Sequence, residues 1–119
     1  MSRMSSALLM FAAVMLADGS PAAQTDVDDA KKYATCASYF FMAAKVRPLG
    51  EFDGLYRSGE FGLNRAIKLS GKEAAMTAFN EAASEINQII DHSVSNFPAA
   101  DDRFEVRCAD IFREATRPD

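Results

Sequence analysis

Between residues 26 and 46 apolar side chains recur at helical spacing. Tyr33, Cys36, Ala37, Phe40 and Ala44 fall at i, i+3, i+4, i+7 and i+11, with Ala34 and Phe41 widening the stripe. A second apolar patch, Tyr39, Met42 and Val46, lies on the other side of the same segment, broken by Thr35 and Ser38. A helix apolar over most of its circumference is usually buried, so this one is expected to be the central helix or to have a partner on its second face. Its start is placed near Asp26 or Asp28, where Asp26, Asp28 and Asp29 meet the positive end of the helix dipole. Pro48 and Gly50 stop it after Val46.

The next segment is divided against itself. Phe52, Leu55, Tyr56, Gly59, Leu63, Ala66 and Ile67 keep helical spacing, yet Gly54, Gly59 and Gly62 each cost about 1 kcal/mol relative to alanine in a helix. Either Gly59 admits a close neighbour, or a turn precedes a short helix. The expectation carried forward is a helix broken or irregular before Gly59. Ser70 and Glu73 then have the spacing of a capping box, which places the start of the third helix there. Ala75, Phe79, Ala82, Ala83, Ile86, Ile90, Val94 and Phe97 share one side of it, and Pro98 is expected to end it. The last helix is placed from about Ala100, with Asp101 and Asp102 in its first turn. Its stripe of Phe104, Cys108, Ile111, Phe112 and Ala115 puts the second cysteine on the buried face.

Residues 1–23 do not fit this pattern. Arg3, the apolar run 7–16, the break at 18–21 and the small residues Ala22 and Ala23 describe a secretory signal peptide, with cleavage after Ala22 or Ala23. The uncharged stretch 4–17 is shorter than the roughly 20 residues that cross a bilayer, so no stable membrane anchor is expected after cleavage. Residues 24–119 are then a single helical domain in the periplasm or outside the cell. In such a compartment the chain's two cysteines are most simply read as one disulfide, Cys36–Cys108. A loop of that length is worth about 4 kcal/mol by chain entropy. The fold class predicted is all-α, a small bundle of about four helices with one disulfide.

Charge and chemistry narrow the function classes. The net charge is −4, and loss of residues 1–23 removes one base, Arg3, and one acid, Asp18. An acidic domain has no electrostatic footprint for nucleic acid. His92 is the single histidine and is read as a polar-face residue beside Glu85 and Gln88; no second histidine or free cysteine completes a metal site. No haem, phosphate-loop, EF-hand or nucleophile-elbow motif is present. Neither cofactor nor metal is expected, and the chain is not expected to be an enzyme. The serial arginines Arg103, Arg107, Arg113 and Arg117, interleaved with Asp110 and Glu114, read as a solvated ion-paired face or an anion patch.

Three functions remain: an interaction or accessory protein of the cell envelope, a carrier of a small apolar ligand, and an enzyme of unrecognised type. The first is preferred. Tyr39, Met42 and Val46 are its candidate surface, for a protein partner or a homodimer, unless the segment 49–61 covers them.

Overall fold

The computed structural model describes residues 21–118, with side chains from Gln24 onward. The signal segment expected over 1–23 lies largely outside the described residues, and the expected cleavage bonds fall in the first turn of the first helix. Four helices follow: α1 (Pro21–Val46), α2 (Phe52–Ser70), α3 (Lys72–Ile89) and α4 (Phe97–Thr116), with single 3-10 turns at Leu49–Glu51 and Val94–Asn96. The all-α bundle with one disulfide is the architecture observed.

α1 is the central element. Every residue from Ala34 to Phe40 is buried, two turns without an outer face. Its start corrects the sequence expectation: no acidic residue lies in its first turn, and the helix extends back through Ala23 and Ala22 to Pro21. Proline is tolerated at the first position and alanine is the best helix former, so the aspartates sit inside the helix.

α1 and α4 are antiparallel, as their cross-links show. Lys32 reaches Asp110, Tyr33 reaches Glu114, Cys36 is bonded to Cys108 and Tyr39 reaches Asp101. The two sulfurs are 2.01 Å apart and the Cα atoms 5.6 Å, between residues separated by 72 positions. Both cysteines are buried, as the two stripes required.

α2 is one continuous helix through all three glycines, which overturns the expectation of a break before Gly59. The reason is the close approach of α1. A Cβ on Gly62 would lie 2.9 Å from the Tyr33 carbonyl oxygen, and one on Gly59 would lie 2.8 Å from the Phe41 ring. Intrinsic propensity is a weak prior, and backbone contact of this kind overrides it.

The expected capping box does not form. The Ser70 hydroxyl donates to the Ala66 carbonyl at 3.0 Å and ends α2, while Gly71 alone separates α2 from α3. Its φ of 92° is open to glycine at little cost. α3 also ends earlier than its apolar pattern implies. The His92 N–H bonds the Asn87 carbonyl at 2.9 Å and the Asp91 N–H bonds that of Gln88 at 3.1 Å, the paired closure of a Schellman motif. Asp91 and His92 take φ of 53° and 57°, so the chain turns there and Val94 is left 69% exposed. Pro98 then opens α4 instead of closing α3, because proline in a first helical turn forfeits no hydrogen bond.

The core follows from these contacts. Tyr39, Phe40, Ile86, Phe97, Phe104 and the disulfide form its main body, and Ala34, Ala66 and Ala75 form a second, smaller cluster.

Candidate functional site

Of the residues singled out from sequence, Cys36 and Cys108 are joined, whereas Tyr39, Met42 and Val46 do not form an open surface. Tyr39 is 2% exposed, so the expected surface loses its centre. The Tyr39 ring stacks on Phe97 and Phe104 of α4, with centroids 6.0 and 5.7 Å away. Met42 and Val46 are half-buried and border a small recess with Ile90 and Phe97. His92 stands on the left-handed turn, off the polar face of α3 where it was expected. Glu85 pairs with Arg103 at 2.8 Å on the surface, and Arg107 lies over the Phe104 ring.

The Tyr39 hydroxyl is part of a network that sequence reasoning missed. It donates to Asp101 Oδ1 at 2.7 Å, and Arg47 grips the same carboxylate with two bonds, 2.9 Å to Oδ2 and 2.7 Å to Oδ1. Burial alone would raise the Asp101 carboxyl, but the bonds from Arg47 and Tyr39, with the Arg47 charge, outweigh it and hold it below its usual value. Burial, then the bond to Asp101, pushes the Tyr39 hydroxyl far above the usual tyrosine range. The bonds to Asp101 push the Arg47 guanidinium still further above its already high value. Donors and acceptors are spent on one another, so the network ties the end of α1 to the start of α4 and offers no group poised for proton transfer. Nothing in the one-dimensional pattern marks Arg47 and Asp101 as partners, being 54 positions apart.

Beside this network a half-open cleft of about 320 Å³ lies between α1, α2 and α4. Phe40, Leu55 and Phe112 make its apolar lining; Arg47, Glu51, Glu105 and Arg113 carry its charge. It is at the lower limit of ligand-binding volumes.

A second feature is an aromatic strip. Phe52 stacks on Tyr56 at 5.5 Å, Tyr56 meets Phe41 edge-on at 5.1 Å, and Phe41 meets Phe79 at 5.9 Å. Three helices contribute and none of the four rings is buried: Phe52 is 38% and Tyr56 43% exposed, with Phe41 and Phe79 half-buried. Gly59 is what lets the Phe41 ring lie between α1 and α2 and bridge the others. Leu49, 88% exposed, precedes Phe52 in the adjoining 3-10 turn. The sequence signal was present but was read as core, since Phe52, Tyr56 and Phe79 share the apolar stripes of their helices.

Among the described residues no cluster of three His, Cys, Asp or Glu side chains is arranged to hold a metal ion. No described helix is long and apolar enough to cross a membrane. The disulfide is compatible with an oxidising compartment. Fold and surface together define a small disulfide-bonded helical bundle with an exposed aromatic strip. Set against known protein families, curated proteins and solved structures, the chain matches none.

Proposed function

We propose that this is a small exported, non-catalytic interaction protein of the periplasm or cell envelope, and that the strip Phe52–Tyr56–Phe41–Phe79 is its contact surface. The observation that carries the proposal is the strip itself. Aromatic rings exposed in a connected row are costly in water and are enriched in protein interfaces. The bundle behind them is stapled by a buried disulfide and by the Tyr39–Asp101–Arg47 network, so the surface is presented on a rigid support.

A photo-crosslinking amino acid placed at position 56 in the intact cell tests this, with position 106 as the control. Val106 is 88% exposed and lies on α4, away from the strip. Adducts that form from position 56 and not from 106 are expected. No adduct, or equal adducts from both positions, would overturn the proposal.

The cleft beside Phe40 and Phe112 supports a second reading, the carriage of a small apolar ligand. Under it, 1-anilinonaphthalene-8-sulfonate fluoresces on the folded protein and an Ala109→Phe substitution, which fills the cleft, removes the signal.

A further inference from the structure

The charges beside the strip select a partner. α2 carries Asp53 and Arg57 four residues apart, both exposed, next to Phe52 and Tyr56. Among the described residues neither takes an ion-pair partner, although their spacing would let them pair with each other. A two-fold interface requires residue i to meet j and j to meet i. In an antiparallel crossing of two α2 helices centred on residues 54 and 55, Phe52 meets the second copy's Tyr56, and Asp53 meets its Arg57. Each contact occurs twice. The same register therefore satisfies both the aromatic and the ionic pairs, which is what self-complementarity means for a helix face.

We propose that the occupant of the strip is a second copy of this chain, docked α2 against α2 about a two-fold axis at that level. The proposal rests on the reading of the strip as a contact surface. Glu51, Asp53 and Glu60 around the rings count against an anionic lipid surface as the partner. A standard interface buries roughly 800 Å² per partner. One helix face with four partly exposed rings supplies less, so the dimer is expected to be reversible, forming in the micromolar range or above.

Sedimentation equilibrium of the disulfide-bonded protein from about 1 µM to about 1 mM tests this directly. A monomer–dimer equilibrium is expected. Tyr56→Asp should weaken it by about tenfold or more. Asp53→Arg or Arg57→Asp alone should weaken it by about fivefold, through like charges facing each other across the axis. The double exchange should recover affinity to within about twofold of the natural chain. All three positions are exposed, and an unchanged melting curve for each variant establishes that the fold is intact.

A chain that stays monomeric to the highest concentration overturns the proposal. So does a dimer that ignores Tyr56→Asp, or one that the double exchange leaves as weak as the single changes. The crosslink from position 56 separates this failure from that of the wider reading. An adduct of twice the chain mass supports the second copy, an adduct of another mass keeps the contact surface and removes the self-pairing, and no adduct removes both.

Discussion

α1 is held in two different ways on its two sides. Toward α4 the contacts are directional: a disulfide, the Arg47–Asp101–Tyr39 network, Tyr33 donating to Glu114 and Lys32 paired with Asp110. From Lys32 to Arg47, every side-chain hydrogen bond that leaves α1 goes to α4. Toward α2 and α3 the contacts are small residues and rings: Gly59 under Phe41, Gly62 against Ala37 and the Tyr33 carbonyl, and the cluster of Ala34, Ala66 and Ala75. One side is fixed by bonds between named atoms, the other by the absence of side chains. The first kind sets register, because only one alignment satisfies all the pairs. The second sets distance, because any added carbon must displace a backbone or a ring.

Breaking each side should show this. Loss of the disulfide, by reduction or by Cys36→Ser with Cys108→Ser, has the largest expected effect: about 4 kcal/mol, lowering the melting temperature by about 15 °C or more. A melt unchanged by reduction would show that the network carries the α4 side without it.

On the other side, Gly62→Ala is expected to destabilise by about 1–2 kcal/mol, the overpacking against the Tyr33 carbonyl exceeding the gain in helix propensity. Gly54→Ala is its control. There the new methyl meets only the Phe112 ring, at an ordinary 3.7 Å, and propensity should raise stability by up to about 1 kcal/mol. Equal effects at the two glycines in chemical denaturation would mean that close approach is not what selects them.

Asp101→Asn sharpens the α4 side. It leaves the tyrosine bond possible but weakens the charged grip on Arg47, and a loss of about 1–2 kcal/mol is expected. The natural protein should show the same contribution as a pH dependence. The folded carboxyl titrates below its unfolded value, so its stabilisation is complete above about pH 4 and is lost as the pH falls through the lowered folded value. Asp101→Asn should flatten that part of the acid limb in melts taken down the pH scale.

The smallest effect is expected at Ser38, 1% exposed and facing no hydrogen-bond partner for its hydroxyl. Ser38→Ala should be neutral or stabilising by up to about 1 kcal/mol, since a buried unpaired hydroxyl is removed without opening a large void. A clear loss of stability would reveal a bond to that hydroxyl.

The contrast also explains how much was legible in the sequence. Period alone put Cys36 and Cys108 on buried stripes and identified α1 as central, because burial on all sides writes itself into composition. It could not say which helix covers which face. Tyr39 reads as surplus surface because period does not show that Phe97 and Phe104 of α4 cover it, and Phe97 falls before the start that sequence alone assigns to that helix. The glycines of α2 read as costs because the chain that approaches them is 18 or more positions away. The end of α3 left no glycine to mark it, since Asp91 and His92 take the left-handed conformation themselves while Ile90, Val94 and Phe97 continue the apolar period. The strip was hidden for a related reason. An apolar position on a stripe says that a ring leans toward the bundle, not how much of it reaches water.

Gly71 gives the molecule an unequal tolerance for changes in length. With a single residue between α2 and α3, there is no slack to absorb an insertion. A residue added in the first turn of α3 would rotate the rest of that helix by about 100° about its axis and carry Ala75, Ala82 and Ile86 off the core together. The joints at 47–51 and 90–96 have spare turns, so an insertion there would be taken up locally. Homologous chains that differ in length should therefore differ at those two joints and keep the spacing across Gly71.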